Sequence, residues 1–479
     1  MWSEDVTNGF KPAAHEGMNP SYTRRNFLQS SLWLPAITAA IPLRASDSNV
    51  VDTTIEASER WMMIGEKPAR LYAYNGNVPG PVLEAHPGDT LRVFFQNNLN
   101  EETNLHFHGL HVPPVGNADN PFIMVAPGES FQYELPIPAN HPGGTFWLHP
   151  HVHGKTAHQV SRGLAMPLLI RGDLDQIPAI AAASESVVVL QDFELDEAGY
   201  SVEPNASARM QGREGSLITA SGAVKPTIPL KVGGWVRLHL VNASSSRFYL
   251  LQVENHLMIQ IASDGGGLPA PRPAEQVLLA PGERCQVMIQ GTAESGSYRL
   301  LNLPYIRGVA GMMGGFGPPQ TMNATTLATL VYQGLEDNPV ALDQTLIPVR
   351  PLPQAAITRT FVLGEGMGML GRAGIFTVNR RTFDPSRVDT RVSLGDIEDW
   401  EFVNMSMMDH PMHIHTNPFQ VIGSDGRPDT AWKDVAVVRG GSRLRIRTQF
   451  LDFVGNTVYH CHILDHEDLG MMGVLRIAS

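Results

Sequence analysis

A ten-residue pattern recurs three times along the chain and limits what it can fold into. GDTLRVFFQN at 88–97, GGWVRLHLVN at 233–242 and GDIEDWEFVN at 395–404 each open on a turn glycine, run through a strand-like stretch and close on asparagine at equal spacing. Each is followed by a second turn, PGE at 127–129, PGE at 281–283 and GGS at 440–442. Self-similarity of this kind marks a repeated structural unit. Short β-rich runs punctuated by Gly and Pro, with no long helical periodicity, predict three all-β sandwiches. At 479 residues the chain is too long for one ordinary domain. The boundaries expected are 1–45 for a leader, then domains at 46–172, 173–340 and 341–479.

The first and third copies carry four histidine clusters: HFHG at 106–109, HPH at 149–151, HPMHIH at 410–415 and HCHILDHEDLGMM at 460–472. Strand side chains alternate faces, so His106 and His108 point the same way, as do His149 with His151 and His460 with His462. Each pair can grip metal from one side. Cys461, between His460 and His462, must face the other way, where His410, His466 and Met471 can complete a set of two histidines, one thiolate and a weak axial thioether. That donor set suits copper in an electron-transfer site. Zinc prefers four closed ligands, or three plus water, and ten clustered histidines exceed one such site. HPH is followed by GLAMPLLI at 163–170 just as HCH is followed by GMMGVLRI at 470–477, with Pro150 at the counterpart of Cys461. The first copy therefore cannot hold a cysteinyl site, and any shared cluster lies between domains one and three. The middle domain, without such a motif, is expected to act as a spacer that docks the other two, with His239 and His256 as structural or surface histidines.

The four clusters match HxHG, HxH, HPxHxH and HCHxxxHxxxxM without a missing ligand, and in this the chain resembles the multicopper oxidases, specifically the bacterial three-domain laccase-like type. The resemblance covers nearly everything after the leader. It implies three cupredoxin-like Greek-key domains and four coppers per chain. A type 1 copper would take His410, Cys461 and His466 with Met471 axial, and a type 2 copper His106 and His413. Two type 3 coppers would take His108, His149 and His462 on one side and His151, His415 and His460 on the other. The implied activity is oxidation of a small reducing substrate, phenols or aromatic amines first and Cu(I) or Fe(II) second, with electrons passing through Cys461 to a cluster that reduces O2 to water. That reduction consumes protons, and Glu467 matches the position of a proton-relay acid in related bacterial enzymes, with Asp119 as second candidate. Asp434 is a candidate for orienting a ligand histidine. His111, His153 and His158 lie near the clusters but outside the ligand pattern.

Methionines gather at Met312 and Met313, at Met367 and Met369, and at Met405, Met407 and Met408, where soft thioethers suit Cu(I). Ser406 stands where related copper-resistance oxidases carry aspartate. TRRNFL at 23–28 precedes a short apolar run, with Leu43-Arg44-Ala45 as a cleavage site, and reads as a twin-arginine export signal to the periplasm or beyond. Pro35 and Pro42 interrupt that run, so no stable membrane anchor is expected. Cys285 and Cys461 are the only cysteines; with Cys461 a ligand, no disulfide forms and Cys285 is a small buried hydrophobe. A formal charge of −12 without a basic run speaks against nucleic-acid partners. A copper nitrite reductase would be a shorter chain lacking HCH. A non-catalytic cupredoxin-fold cell-division or scaffold protein would lose ligands, the cysteine above all.

Overall fold

The computed structural model describes residues 50–292, 295–308, 323–366 and 375–479. These residues form three β-sandwiches in chain order, each of two sheets closed over its own apolar core. The fold is all-β and cupredoxin-like, as the strand pattern predicts. In the first sandwich Lys67–Tyr74, Val50–Ile64, Thr90–Asn98 and Ser130–Pro136 make one sheet, and Leu83–Ala85, Met166–Ile170, Gly144–His149 and His106–His108 the other. Period-two burial builds the core: Leu91, Val93 and Phe95 are buried while Phe94 between them is exposed.

The three recurrent segments take the same place in their sandwiches. Thr90–Asn98, Trp235–Asn242 and Ile397–Asn404 each pair in parallel with the first long strand of their sandwich. On the other side they pair antiparallel with the strand that follows the second turn. The closing asparagine is a corner pin in all three. The Asn97 side-chain amide donates to the carbonyls of Glu101 and Val125, that of Asn242 to Arg247 and Leu279, and that of Asn404 to Met408 and Val438, all at 2.7–3.0 Å. The side-chain oxygen of each accepts the N–H two residues on, from Leu99, Ser244 and Ser406. Each asparagine thus satisfies buried backbone groups where the strand must end.

Three short helices tie the sandwiches together. Leu464–Asp468, which follows the HCH motif, contacts both Thr156–Ser161 of the first sandwich and Ala206–Gln211 of the middle one. The Asp468 carboxylate accepts the Thr156 and Ala157 N–H groups at 3.1 and 2.9 Å, negative charge meeting the free donors of a helix start. Arg213 of the middle sandwich grips Asp465 through Nε and a terminal nitrogen at 3.0 and 2.8 Å. No helix among the described residues is long and apolar enough to cross a membrane. The leader, Met312, Met313, Met367 and Met369 lie outside the described residues.

Candidate metal centres

The pleat separates the third-domain candidate ligands into two sets. Antiparallel pairing of His410–Ile414 with Gly455–Cys461 puts Met412 opposite Cys461 and His413 opposite His460. Cys461 and Met412 therefore point into the sandwich core, while His413 and His460 point out of it.

On the core side, Cys461 Sγ lies 3.5 Å from His410 Nδ1 and 3.8 Å from His466 Nδ1, and the two nitrogens are 3.3 Å apart. All three residues are fully buried. His466 Nε2 donates to the Met210 carbonyl at 3.0 Å, which can only accept, so the Nδ1 lone pair faces the cysteine. His410 Nε2 lies 2.8 Å from Ser406 Oγ, whose own proton is taken by Asn404 Oδ1 at 2.8 Å; His410 is thereby the donor and its Nδ1 also faces inward. Phe376 stacks on the His466 ring at 3.8 Å. Burial lowers the pKa of His410 to about 3 and that of His466 well below the ordinary range, so both rings are neutral donors. Met471 is buried, its N–H bonded to the His466 carbonyl and its carbonyl to the Cys461 N–H.

The outward set meets the first sandwich. There His106 pairs opposite His149 across neighbouring strands, with Phe107 and Leu148 turned into the core. Eight rings converge: His106 stacks on His415 at 3.8 Å and His108 on His413 at 3.9 Å between centroids. The outer nitrogens of five of these rings are committed. His149 Nδ1 donates to the Pro150 carbonyl, His460 Nδ1 to that of Cys461 and His413 Nδ1 to that of Asp434, at 2.8–3.1 Å. His106 Nδ1 lies 3.0 Å from Asp119 Oδ1. The inner nitrogens then face one another as lone pairs, His151 Nε2 and His415 Nε2 at 3.2 and 3.1 Å from His460 Nε2, and His108 Nδ1 at 3.3 Å from His149 Nε2. Among the described residues, His106 Nε2, His413 Nε2, His415 Nδ1 and both nitrogens of His462 are buried without a hydrogen-bond partner. Burial, reinforced by the crowding of neighbouring histidines, holds His106, His108, His149, His151, His415, His460 and His462 well below their ordinary pKa, so protons do not fill the gap. Orphaned, neutral, converging imidazoles need cations. Both donor sets fit copper: imidazoles alone in one, imidazoles with a thiolate in the other. The metal-capable groups include His410, Cys461 and His466; His151, His415 and His460; His106, His413 and His415; and His106, His108 and His149.

The acids around the cluster have distinct places. Asp119 is buried, contacts His106 Nδ1 with both oxygens at 3.0 and 3.1 Å and accepts the Phe107 N–H at 2.9 Å; burial pushes its carboxyl up to about 7, offset in part by that N–H. Glu467 is fully buried between histidines of the first and third sandwiches, 3.7 Å from His151 Nε2 and 3.2 Å from His460 Nδ1, and accepts the Thr156 hydroxyl at 2.8 Å. Burial raises its carboxyl well above the ordinary range and the neighbouring Asp468 adds to this. Asp434 takes two of the clustered histidines, His108 Nε2 on Oδ1 at 3.1 Å and His413 on its backbone carbonyl.

The five other histidines singled out in the sequence are engaged elsewhere. His111 bonds Thr416 O and Asp452, His158 faces Glu101 and Glu203, and His153 packs on Phe383. His239 meets Thr145 and His256 meets Glu254 O and Tyr332. The middle sandwich is more than a spacer, however. It supplies the Met210 carbonyl to His466, and it supplies Arg284, which sequence reasoning missed, to Asp434 at 2.7 Å on both oxygens.

Three family models described as multicopper oxidase match residues 56–175, 183–335 and 360–479. A multicopper oxidase, mco, of Staphylococcus haemolyticus is 29% identical over 421 residues, covering 85% of this chain and 83% of its own. Cell division protein FtsP of Xenorhabdus nematophila is also 29% identical, over 436 residues and 87% of both chains. The solved structure of a multicopper oxidase from Campylobacter jejuni, described as a metallo-oxidase, is 32% identical with a TM-score of 0.80, covering 92% of this chain and 95% of that one. With the matched models spanning all three sandwiches and every motif histidine gathered into two buried donor sets, the chain belongs to the multicopper oxidase family.

Proposed function

We propose that this protein couples four one-electron oxidations of a small reducing substrate to the reduction of O2 to water. His410, Cys461 and His466, with Met471 as a further ligand, would hold the type 1 copper, and His106 with His413 the type 2 copper. His108, His149 and His462 would hold one type 3 copper and His151, His415 and His460 the other, four coppers per chain. When bound, copper supplies the one-electron redox couple at the first site and the O2 chemistry at the second. The observation that carries the reading is a single strand end: Cys461 belongs to the thiolate set while its chain neighbours His460 and His462 belong to the cluster, so the two sites share one covalent stretch. His460 Nδ1 donating to the Cys461 carbonyl at 3.1 Å adds a second link. A purely structural cell-division role, suggested by the similarity to FtsP, has no use for this constellation.

Glu467 and Asp119 are the acids we assign to proton delivery. Glu467 lies beside ligands of one type 3 copper, and its bond to Thr156 points toward the junction of the helices Thr156–Ser161 and Leu464–Asp468. Asp119 sits behind His106 and also fixes that ring. The motif TRRNFL at 23–28 directs the protein to the twin-arginine machinery, and hence to the periplasm or beyond.

Phenols and aromatic amines are the substrate class we assign first, on the laccase-like ligand pattern. Oxidation of Cu(I) has a specific observation in its favour. Met405 and Met407 are 70% and 67% exposed, flanking buried Ser406, the residue that bonds His410. Two thioethers thus stand in solvent next to an electron-entry ligand, and the Campylobacter jejuni relative is described as a metallo-oxidase. Oxygen consumption by the purified copper-loaded protein, measured side by side on a phenol and on Cu(I), tests both. Turnover of either supports the oxidase; turnover of neither by fully loaded protein overturns it.

A further inference from the structure

Arg284 is fully buried, and all five of its N–H donors are taken. Nε donates to the Thr145 carbonyl at 3.1 Å, Nη1 to the Gly282 carbonyl at 3.2 Å and Asp434 Oδ1 at 2.7 Å, and Nη2 to the Asp264 carbonyl at 2.9 Å and Asp434 Oδ2 at 2.7 Å. Thr145 belongs to the first sandwich, Asp434 to the third and the arginine itself to the middle one. The carboxylate it clamps is the one that meets His108 Nε2.

His108 is oriented unlike its neighbours. His149, His413 and His460 turn Nδ1 outward to a carbonyl, whereas His108 turns Nε2 outward to Asp434 and presents Nδ1 toward His149. An acceptor on Nε2 selects the tautomer with the Nδ1 lone pair inward. Asp434 alone, on a single flexible side chain, would not hold that geometry. The planar, two-pronged guanidinium grip fixes its carboxylate plane, which a lysine's point charge would not. Space for the grip comes from Gly109, the last residue of HFHG. A Cβ there would lie 2.7 Å from Asp434 Oδ2 and would run into the Arg284 guanidinium, and its φ of +88° suits glycine in any case. The surrounding charges are matched, with Lys433 Nζ 2.9 Å from both Asp264 and Glu283.

We infer that Arg284 of the middle sandwich is a positioning residue for the three-copper cluster, acting through Asp434 on His108, so that the cluster is fully formed only when all three sandwiches are docked. This rests on the copper assignment proposed above. The test is Arg284→Met in the full chain, with Arg284→Lys beside it, reading copper per chain, copper affinity against a chelator and the blue absorption of the Cys461 site. Arg284→Met should keep the blue absorption and lose cluster affinity by roughly 10–100-fold, the usual effect of removing a partner behind a metal ligand. Arg284→Lys should recover part of that loss by retaining the charge. If Arg284→Met does not accumulate folded, Gly109→Ala tests the same link from the first sandwich with both partners still present, and should give the same selective loss. Wild-type cluster affinity in any folded member of this set overturns the inference. So does parallel loss of blue absorption and cluster copper, which would make Arg284 a general brace. An unmutated protein that binds no cluster copper would instead overturn the proposed function.

Discussion

Gly282 offers a measurement of how closely the middle sandwich approaches the cluster. It lies in the second of the three equivalent turns, with φ +83°, and a Cβ built on it would meet the His462 ring at 2.7–2.8 Å from Cδ2, Cγ and Nε2. Gly128, at the same place in the first sandwich, has φ +79°, and a Cβ built on it would meet nothing within 4 Å among the described residues. Both donate their N–H to the corner asparagine, Gly128 to Asn97 at 2.8 Å and Gly282 to Asn242 at 3.0 Å. Alanine at either site therefore bears the same left-handed backbone cost, about 1–2 kcal/mol. Only Gly282→Ala adds an overpacking cost against a buried ring, about 1–3 kcal/mol. The expected total is about 2–5 kcal/mol for Gly282→Ala against about 1–2 kcal/mol for Gly128→Ala. Denaturant unfolding of the two metal-free variants measures the difference. Copper content then shows whether the displaced His462 still binds, with loss expected in Gly282→Ala and none in Gly128→Ala. Equal destabilisation together with full copper loading in both would refute the close approach of Gly282 to His462.

Other consequences are as direct. Cys461→Ser replaces a soft thiolate with a hard oxygen, so blue absorption and turnover should vanish while cluster copper remains; a variant that stays blue would contradict the ligand set. Glu467→Gln keeps the shape and removes a protonatable carboxylate, and should slow reoxidation by O2 far more than reduction of the type 1 copper; stopped-flow traces with unchanged reoxidation would leave Glu467 a bystander. Changing Met405 and Met407 together to leucine should lower Cu(I) oxidation at least about tenfold, or about 1.4 kcal/mol of transition-state stabilisation, with phenol oxidation held, if the thioethers dock the ion; equal movement of both activities would favour a mere covering role. Arg24→Lys with Arg25→Lys should strand the precursor in the cytoplasm, and fractionation showing normal export would refute the twin-arginine route.

Much of this molecule is legible in its sequence because strand geometry is so regular. Alternation alone places His460 and His462 on one face and Cys461 on the other, and the spacing of His410, His413 and His415 splits that motif between the two sites in the same way. What the chain conceals are partners that act through backbone or through domain docking. The Met210 carbonyl that fixes His466 carries no side-chain signature at all. Arg284 is hidden for another reason: the repeat places an arginine at the corresponding position of the third copy too, since Arg443 also immediately follows its turn. Yet the Arg443 side chain is 67% exposed and pairs with Glu401 at 3.2 Å, whereas Arg284 is fully enclosed. The same residue type in the same strand position thus serves as a solvated charge in one copy and as a buried clamp in another. The difference is made by what packs against the strand: the first sandwich through Thr145 and Gly109, and the third through Asp434. Local pattern fixes where such a side chain starts, and the docking of the three sandwiches decides what it holds.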